Sequence, residues 1–172
     1  MAKRKLSLRE FQEGLVQRLS SARSGAGAPA LLGVQAGGDL WLLDLADAGE
    51  IVPLQPLTGV PLTKPWFSGI ANIRGVLYGV VDFPAFQGGE ATPPNADSRL
   101  LILGARAGIN CALLVNRTLG LRNVEQMSPQ EAAPDARPWV GAQYLDAEGA
   151  LWKRLNLRNL AAQPDFLEIG LA

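Results

Sequence analysis

From Ala30 onward the chain is broken into short apolar runs, each closed by glycine, proline, asparagine or aspartate. Runs of that length suit strands, and turn residues at this frequency leave little room for helices. Leu31–Gln35 and Leu40–Leu45 flank Gly37-Gly38, a hairpin signal. Asp47-Ala48-Gly49 is the next turn and leads into Glu50–Leu54. Val76–Phe83 is apolar nearly throughout, which predicts a central strand covered on both faces. Arg99–Leu103, Ile109–Val115 and Leu119–Val124 are further strands, and Ala142–Asp146 pairs with Ala150–Leu155 across Ala147-Glu148-Gly149. At the end, Asn156 is placed to cap a helix over Leu157–Ala162, with Pro164 as its stop. The pattern predicts an all-β protein built from barrels or a sandwich. The long loop Gln87–Asp97 suggests two lobes, roughly 30–92 and 93–172, and Ser128–Pro138 is a second polar loop. No short repeat stands out.

The first 29 residues read differently. Leu8, Phe11, Leu15 and Leu19 recur at helical spacing, and Ser7 with Glu10 fits a capping box. A short amphipathic helix over 7–19, followed by a Ser/Gly/Ala tether to Pro29, precedes the domain at 30–172. Residues 1–23 carry six basic and two acidic side chains, whereas 24–172 carry ten and fourteen. A basic arm on a mildly acidic body suits a solvated helix face first, and otherwise contact with a membrane surface or an acidic partner.

The composition removes most chemistry. There is no histidine, and Cys111 is the single cysteine, so neither an intrachain disulfide nor a cysteine-based zinc site is available. There is no phosphate-binding glycine loop and no nucleophile elbow. Cys111 sits in an apolar strand and reads as a buried thiol. Asp44, Asp47 and Glu50 lie around a turn without calcium-loop spacing. No catalytic residue, metal site or cofactor site is expected. With no secretory leader and no apolar stretch long enough to span a bilayer, the sequence predicts a cytoplasmic protein without direct membrane insertion.

The most informative stretch runs from Pro61 to Phe83. It reads as a loop entering a buried strand. Pro61 and Pro65 stiffen the approach, and Trp66 and Phe67 are large aromatics on it. Gly69 and Gly75 permit backbone geometry that a side chain forbids. Asn72 and Arg74 lie between Ile70, Ile73 and Val76, where an arginine needs an acidic partner or an exit to solvent.

Gly69-Ile70-Ala71-Asn72-Ile73-Arg74-Gly75, followed by Val80-Val81-Asp82-Phe83, resembles the motif of the CheW-like chemotaxis adaptors. That motif is a G-[VI]-x-N-[LIV]-R-G turn and then a P-V-[IV]-D-L strand. The resemblance covers roughly residues 30–165 and is strongest to the branch that serves the chemosensory control of type IV pili and twitching motility. It implies two packed five-stranded SH3-like β-barrels with a closing C-terminal helix; the short N-terminal helix lies outside the resemblance. It implies a non-enzymatic adaptor between a chemoreceptor's cytoplasmic tip and the regulatory domain of a CheA-type histidine kinase. The receptor would enter the groove between barrels, and the kinase would meet the barrel edges. The family's upstream acidic residue corresponds to Glu50, which is expected to pair with Arg74. Whether that pair only holds its loop or also touches a partner is left open, as is the choice of core or interface for Trp66 and Phe67. Trp41, Trp139 and Trp152 are assigned to the core, and Asp82 either caps a turn or offers an acceptor. Partner binding or motif architecture is thus expected of Glu50, Trp66, Phe67, Gly69, Asn72, Arg74, Gly75, Val81 and Asp82. One departure stands in the second lobe: Ala112 and Asn116 replace the glycine and aspartate of the family's G-x-x-V-D.

Two other classes compete. A small barrel binding a peptide or single-stranded nucleic acid would need a basic groove lined with aromatics, and the acidic balance of 24–172 speaks against nucleic acid. A carboxylate hydrolase would have to rest on Asp44, Glu50 or Asp82.

Overall fold

A computed structural model describes residues 30–104, 107–131 and 135–171. The expected N-terminal helix and tether lie outside these residues. The architecture is all-β. The strands are β1 (Leu31–Ala36), β2 (Asp39–Asp44), β3 (Ala48–Pro53), β4 (Phe67–Ile73), β5 (Val76–Asp82), β6 (Arg99–Leu103), β7 (Cys111–Val115), β8 (Arg117–Arg122), β9 (Ser128–Gln130), β10 (Val140–Leu145) and β11 (Leu151–Leu155). Among the described residues the short helices are α1 (Phe83–Phe86) after β5, α2 (Leu157–Ala161) after β11, and α3 (Pro164–Leu167) directly after α2.

The strands form two sheets, in the orders β8-β1-β2-β11-β10-β9 and β3-β6-β7-β5-β4. Both sheets therefore draw strands from either side of residue 92. The β1–β2 hairpin joins the C-terminal strands through the parallel pair β2–β11, and the β6–β7 hairpin joins the earlier strands through the parallel pair β5–β7. Each hairpin is claimed by the sheet made largely from the other half of the chain.

Both sheets roll up. The edges of the first, β8 and β9, are joined by one 3-10 turn, Val124–Gln126. In the second, the chain leaving β3 crosses to the far edge, where Thr58 and Ile70 exchange backbone hydrogen bonds of 2.9 Å in each direction. The sheet's edges thus meet, which removes the exposed edge that an open sheet would present.

Alternation along the strands sorts the core into three parts. Leu100, Ile102, Ala112 and Leu114 fill the second barrel with Val52, Ala71, Ile73 and Val80. Their sequence neighbours Leu101, Leu103, Cys111, Leu113 and Val115 point the other way and pack against Leu32, Val34, Trp41 and Leu43 of the first sheet. A smaller cluster of Leu31, Leu42 and Trp152 fills the first barrel. β6 and β7 are covered on both faces because one face lines a barrel and the other lines the junction.

Several expectations are revised. β5 is paired on both sides, though β7 holds the centre of the sheet, and only Val80, Val81 and Asp82 are buried; Val76 and Leu77 are 42% and 59% exposed. The segment before it is a strand, β4, rather than a loop. Its two-residue alternation is interrupted by a register shift between Phe67 and Gly69. Pro164 does end α2, and it also opens α3, as a proline in the first helical turn can.

Candidate partner-docking site

The motif forms the β4–β5 hairpin. Ile73 and Val76 are paired, so Arg74 and Gly75 are the whole turn, with φ of 54° and 84°. Two successive residues at positive φ mark the turn whose twist matches paired strands. Gly75 enters that region freely, whereas arginine does so at a cost and only when held. Two contacts hold it. Asn72 Oδ1 accepts from the Gly75 N–H at 2.9 Å, closing the turn from within. The Arg74 guanidinium donates to both carboxylate oxygens of Glu50, one of them at 2.9 Å from Nη1. Glu50 lies on β3, at the opposite edge of the sheet in pairing order, so the fork clips the hairpin across the seam where the rolled sheet's two edges meet.

The Arg74 side chain is 73% exposed and that of Glu50 38%. The hydrogen bond and charge of Glu50 raise the arginine's pKa, so it stays cationic throughout the working range. An exposed pair of this kind contributes little to stability even with two-point geometry. Its product is shape: a turn fixed in one conformation, with a charged fork beside the uncovered side chains of Val76 and Leu77.

The remaining expected site residues lie elsewhere. Gly69 is buried at φ 129°, and a Cβ there would run into the Thr58 carbonyl oxygen, so glycine is what lets the barrel close. Val81 is 2% exposed and belongs to the junction. Asp82, 3% exposed, caps α1 through Ala85 N–H and accepts from the Thr92 N–H and hydroxyl at 2.7 and 2.9 Å, which pins the 87–97 loop. Phe67 packs against the junction. Trp66 does too, edge-on to Phe86 with centroids 5.1 Å apart, and Phe86 in turn meets Trp139 and Phe166. Trp41 and Trp152 are buried, and Trp139 is half-buried. Only Glu50, Asn72, Arg74 and Gly75 are brought together at the surface.

A second charged cluster was not foreseen. Arg137 forks onto Asp135 at 2.8 and 2.9 Å, reaches Asp39 at 3.2 Å and Gln87 at 2.6 Å, and lies over the Trp41 ring at 5.4 Å. Lys153 reaches the other Asp39 oxygen at 2.9 Å. The hydrogen bonds from Arg137 hold the Asp135 carboxyl down at about 2. These groups are mostly covered and tie the 135–139 segment to the β1–β2 turn and the end of α1. The sequence held no local sign of this cluster, because its bonded members are up to 114 residues apart. Among the described residues, no group of three or more acidic or cysteine side chains could hold a metal. Nor is any of their helices long and apolar enough to cross a membrane.

Residues 30–165 match the family model of the CheW-like domain. The chain belongs to the CheW-like domain family. It is 25% identical over 169 residues to the protein PilI of Pseudomonas aeruginosa, covering 95% of this chain and 90% of that one. The crystal structure of the scaffolding protein TtCheW from Thermoanaerobacter tengcongensis superposes with a TM-score of 0.65 at 20% identity, covering 81% of this chain and 96% of that one. The two-barrel architecture expected of a CheW-like domain is thus the one observed. Within the matched residues lies the Asn72–Gly75 turn, with Glu50 as the acidic partner of Arg74.

Proposed function

We propose that this CheW-like protein is a non-enzymatic cytoplasmic adaptor. It couples a methyl-accepting chemoreceptor to a CheA-type histidine kinase in a pathway that controls type IV pilus twitching motility. The observation that carries this reading is the β4–β5 corner. A turn that places arginine at positive φ, clips it to Glu50 and leaves Leu77 uncovered spends local strain on a surface that adds little to folding. An apolar side chain rimmed by a fixed charge is the make-up of a small interface centre. The likeness to PilI supports the pilus assignment. The corner is assigned to the kinase regulatory domain, since it stands at a barrel edge, and the groove between barrels to the receptor tip.

The test is capture of a purified kinase regulatory domain and of a receptor cytoplasmic fragment by the full chain, its Arg74→Glu variant and its Leu77→Asp variant. Loss of kinase capture in both variants, at unchanged melting temperature and with receptor capture kept, is the expected result. Undiminished kinase capture by both variants would overturn the assignment of the corner.

A further inference from the structure

Beyond α3 the chain turns back along the 61–64 segment. Lys64 N–H donates to the Ile169 carbonyl at 2.8 Å, Leu171 N–H donates to the Leu62 carbonyl at 2.8 Å, and Thr63 bridges to Gly170. One ring anchors this stretch: Phe166, 2% exposed, packs edge-on against Phe86. The helix that carries Phe166 has four residues and no side-chain cap, and Leu167 and Leu171 are left 52% and 56% exposed. Few buried contacts and exposed backbone bonds characterise segments that open locally.

The seat of this stretch is strained. Leu62 has a φ of 58° and a side chain in open solvent. A left-handed leucine persists only where its neighbours hold it. The Leu171 hydrogen bond to its carbonyl is one such hold, beside the Thr63 hydroxyl on the Val60 carbonyl at 2.9 Å, so losing the first loosens the Leu62 backbone. The strain therefore favours opening.

Between this stretch and the β4–β5 hairpin lies an apolar groove of about 290 Å³. Phe67, Ile70 and Leu77 line one side, Phe166 and Leu167 the other, and Cys111 shares the lining. Cys111 is the chain's single cysteine; it is 6% exposed, and the same burial pushes its thiol up to about 12, so its reaction in the closed arrangement is slow.

We infer that residues 164–171 form a strap that opens without unfolding of the barrels and gates the groove between it and the β4–β5 hairpin. The thiol reports on that opening in the full chain. Labelling of Cys111 by a soluble aromatic disulfide is expected to be slow, first-order and nearly independent of urea below the unfolding transition. Leu171→Pro removes one backbone donor at an exposed position and is expected to speed labelling about 5-fold, the loss of one net hydrogen bond. Leu62→Gly relieves the strain of the closed strap and is expected to slow labelling several-fold. Neither variant should move the melting temperature of the barrels appreciably. The proposal is overturned if the labelling rate climbs with urea at the slope of cooperative unfolding, or if both variants leave the rate unchanged.

Discussion

The two barrels share one pairing order. Taken from the tip hairpin inward, β4-β5-β7-β6-β3 in the second sheet corresponds to β10-β11-β2-β1-β8 in the first. In each, the hairpin's second strand runs parallel to its next neighbour. In each, that strand also ends at a side chain that caps a short helix, Asp82 for α1 and Asn156 for α2. The barrels differ in filling and at their tips. Eight buried apolar side chains fill the second barrel and three fill the first, so the first depends more on its polar periphery. At the first barrel's tip, Asp146 turns inward and accepts from the N–H groups of Glu148 and Ala150 and from the Trp152 indole, each at 2.9 Å. At the second barrel's tip, Arg74 reaches outward to Glu50 and leaves Val76 and Leu77 bare. One scaffold, used twice, makes one tip that serves folding and one that is free to serve recognition.

That contrast can be broken at several points. The largest effect is expected at barrel closure. Gly69→Ala forces a Cβ onto the Thr58 carbonyl at a positive φ and should cost at least ~3 kcal/mol in urea unfolding. At a comparable place on β10, a Cβ on Gly141 would lie 3.3 Å from the Arg154 carbonyl oxygen, with no positive φ, so Gly141→Ala should cost ~1 kcal/mol or less. Equal losses would mean that the two barrels close in the same way.

Next comes the polar periphery of the first barrel. Arg137→Ala removes the donor shared by Asp135, Asp39 and Gln87 and should cost about 2 kcal/mol, with kinase capture unaltered. The same cluster sets a pH dependence. Asp135 titrates at about 2 when folded and near 3.8 when unfolded, so its contribution is present above pH 3.8 and is lost as pH falls through about 2. Asp146 is shifted in the same direction by the Trp152 indole and by the backbone donors of its turn. Melting temperature measured from pH 5 down to pH 2 should therefore fall less steeply for Asp135→Asn than for the parent chain. The smallest effect is expected at the corner: Arg74→Ala should leave the melting temperature nearly unchanged, and less altered than Asp146→Ala leaves it.

Much of this molecule was legible because it is written locally. The Gly37-Gly38 turn, the Asn156 cap and the alternating runs of β6 and β7 each depend on residues a few positions apart. The Glu50–Arg74 pair was reached through the resemblance, since 24 residues of intervening chain hide it from any local pattern. β4 was missed because a register shift and Gly69 interrupt its alternation. The make-up of each sheet is not legible locally, because strands contiguous in sequence part company at the parallel pairs β2–β11 and β5–β7. Trp66 and Phe67 could be weighed as core or interface but not decided, since an aromatic suits either place until its neighbours are known. The sequence by itself determined the all-β class, most strand positions and the motif turn, because period-two burial and turn chemistry act over a handful of residues. Which hairpin joins which barrel, where Arg137 finds its acids and why Leu77 stays bare were decided by the tertiary structure, because each depends on surfaces that meet only once both sheets have rolled up.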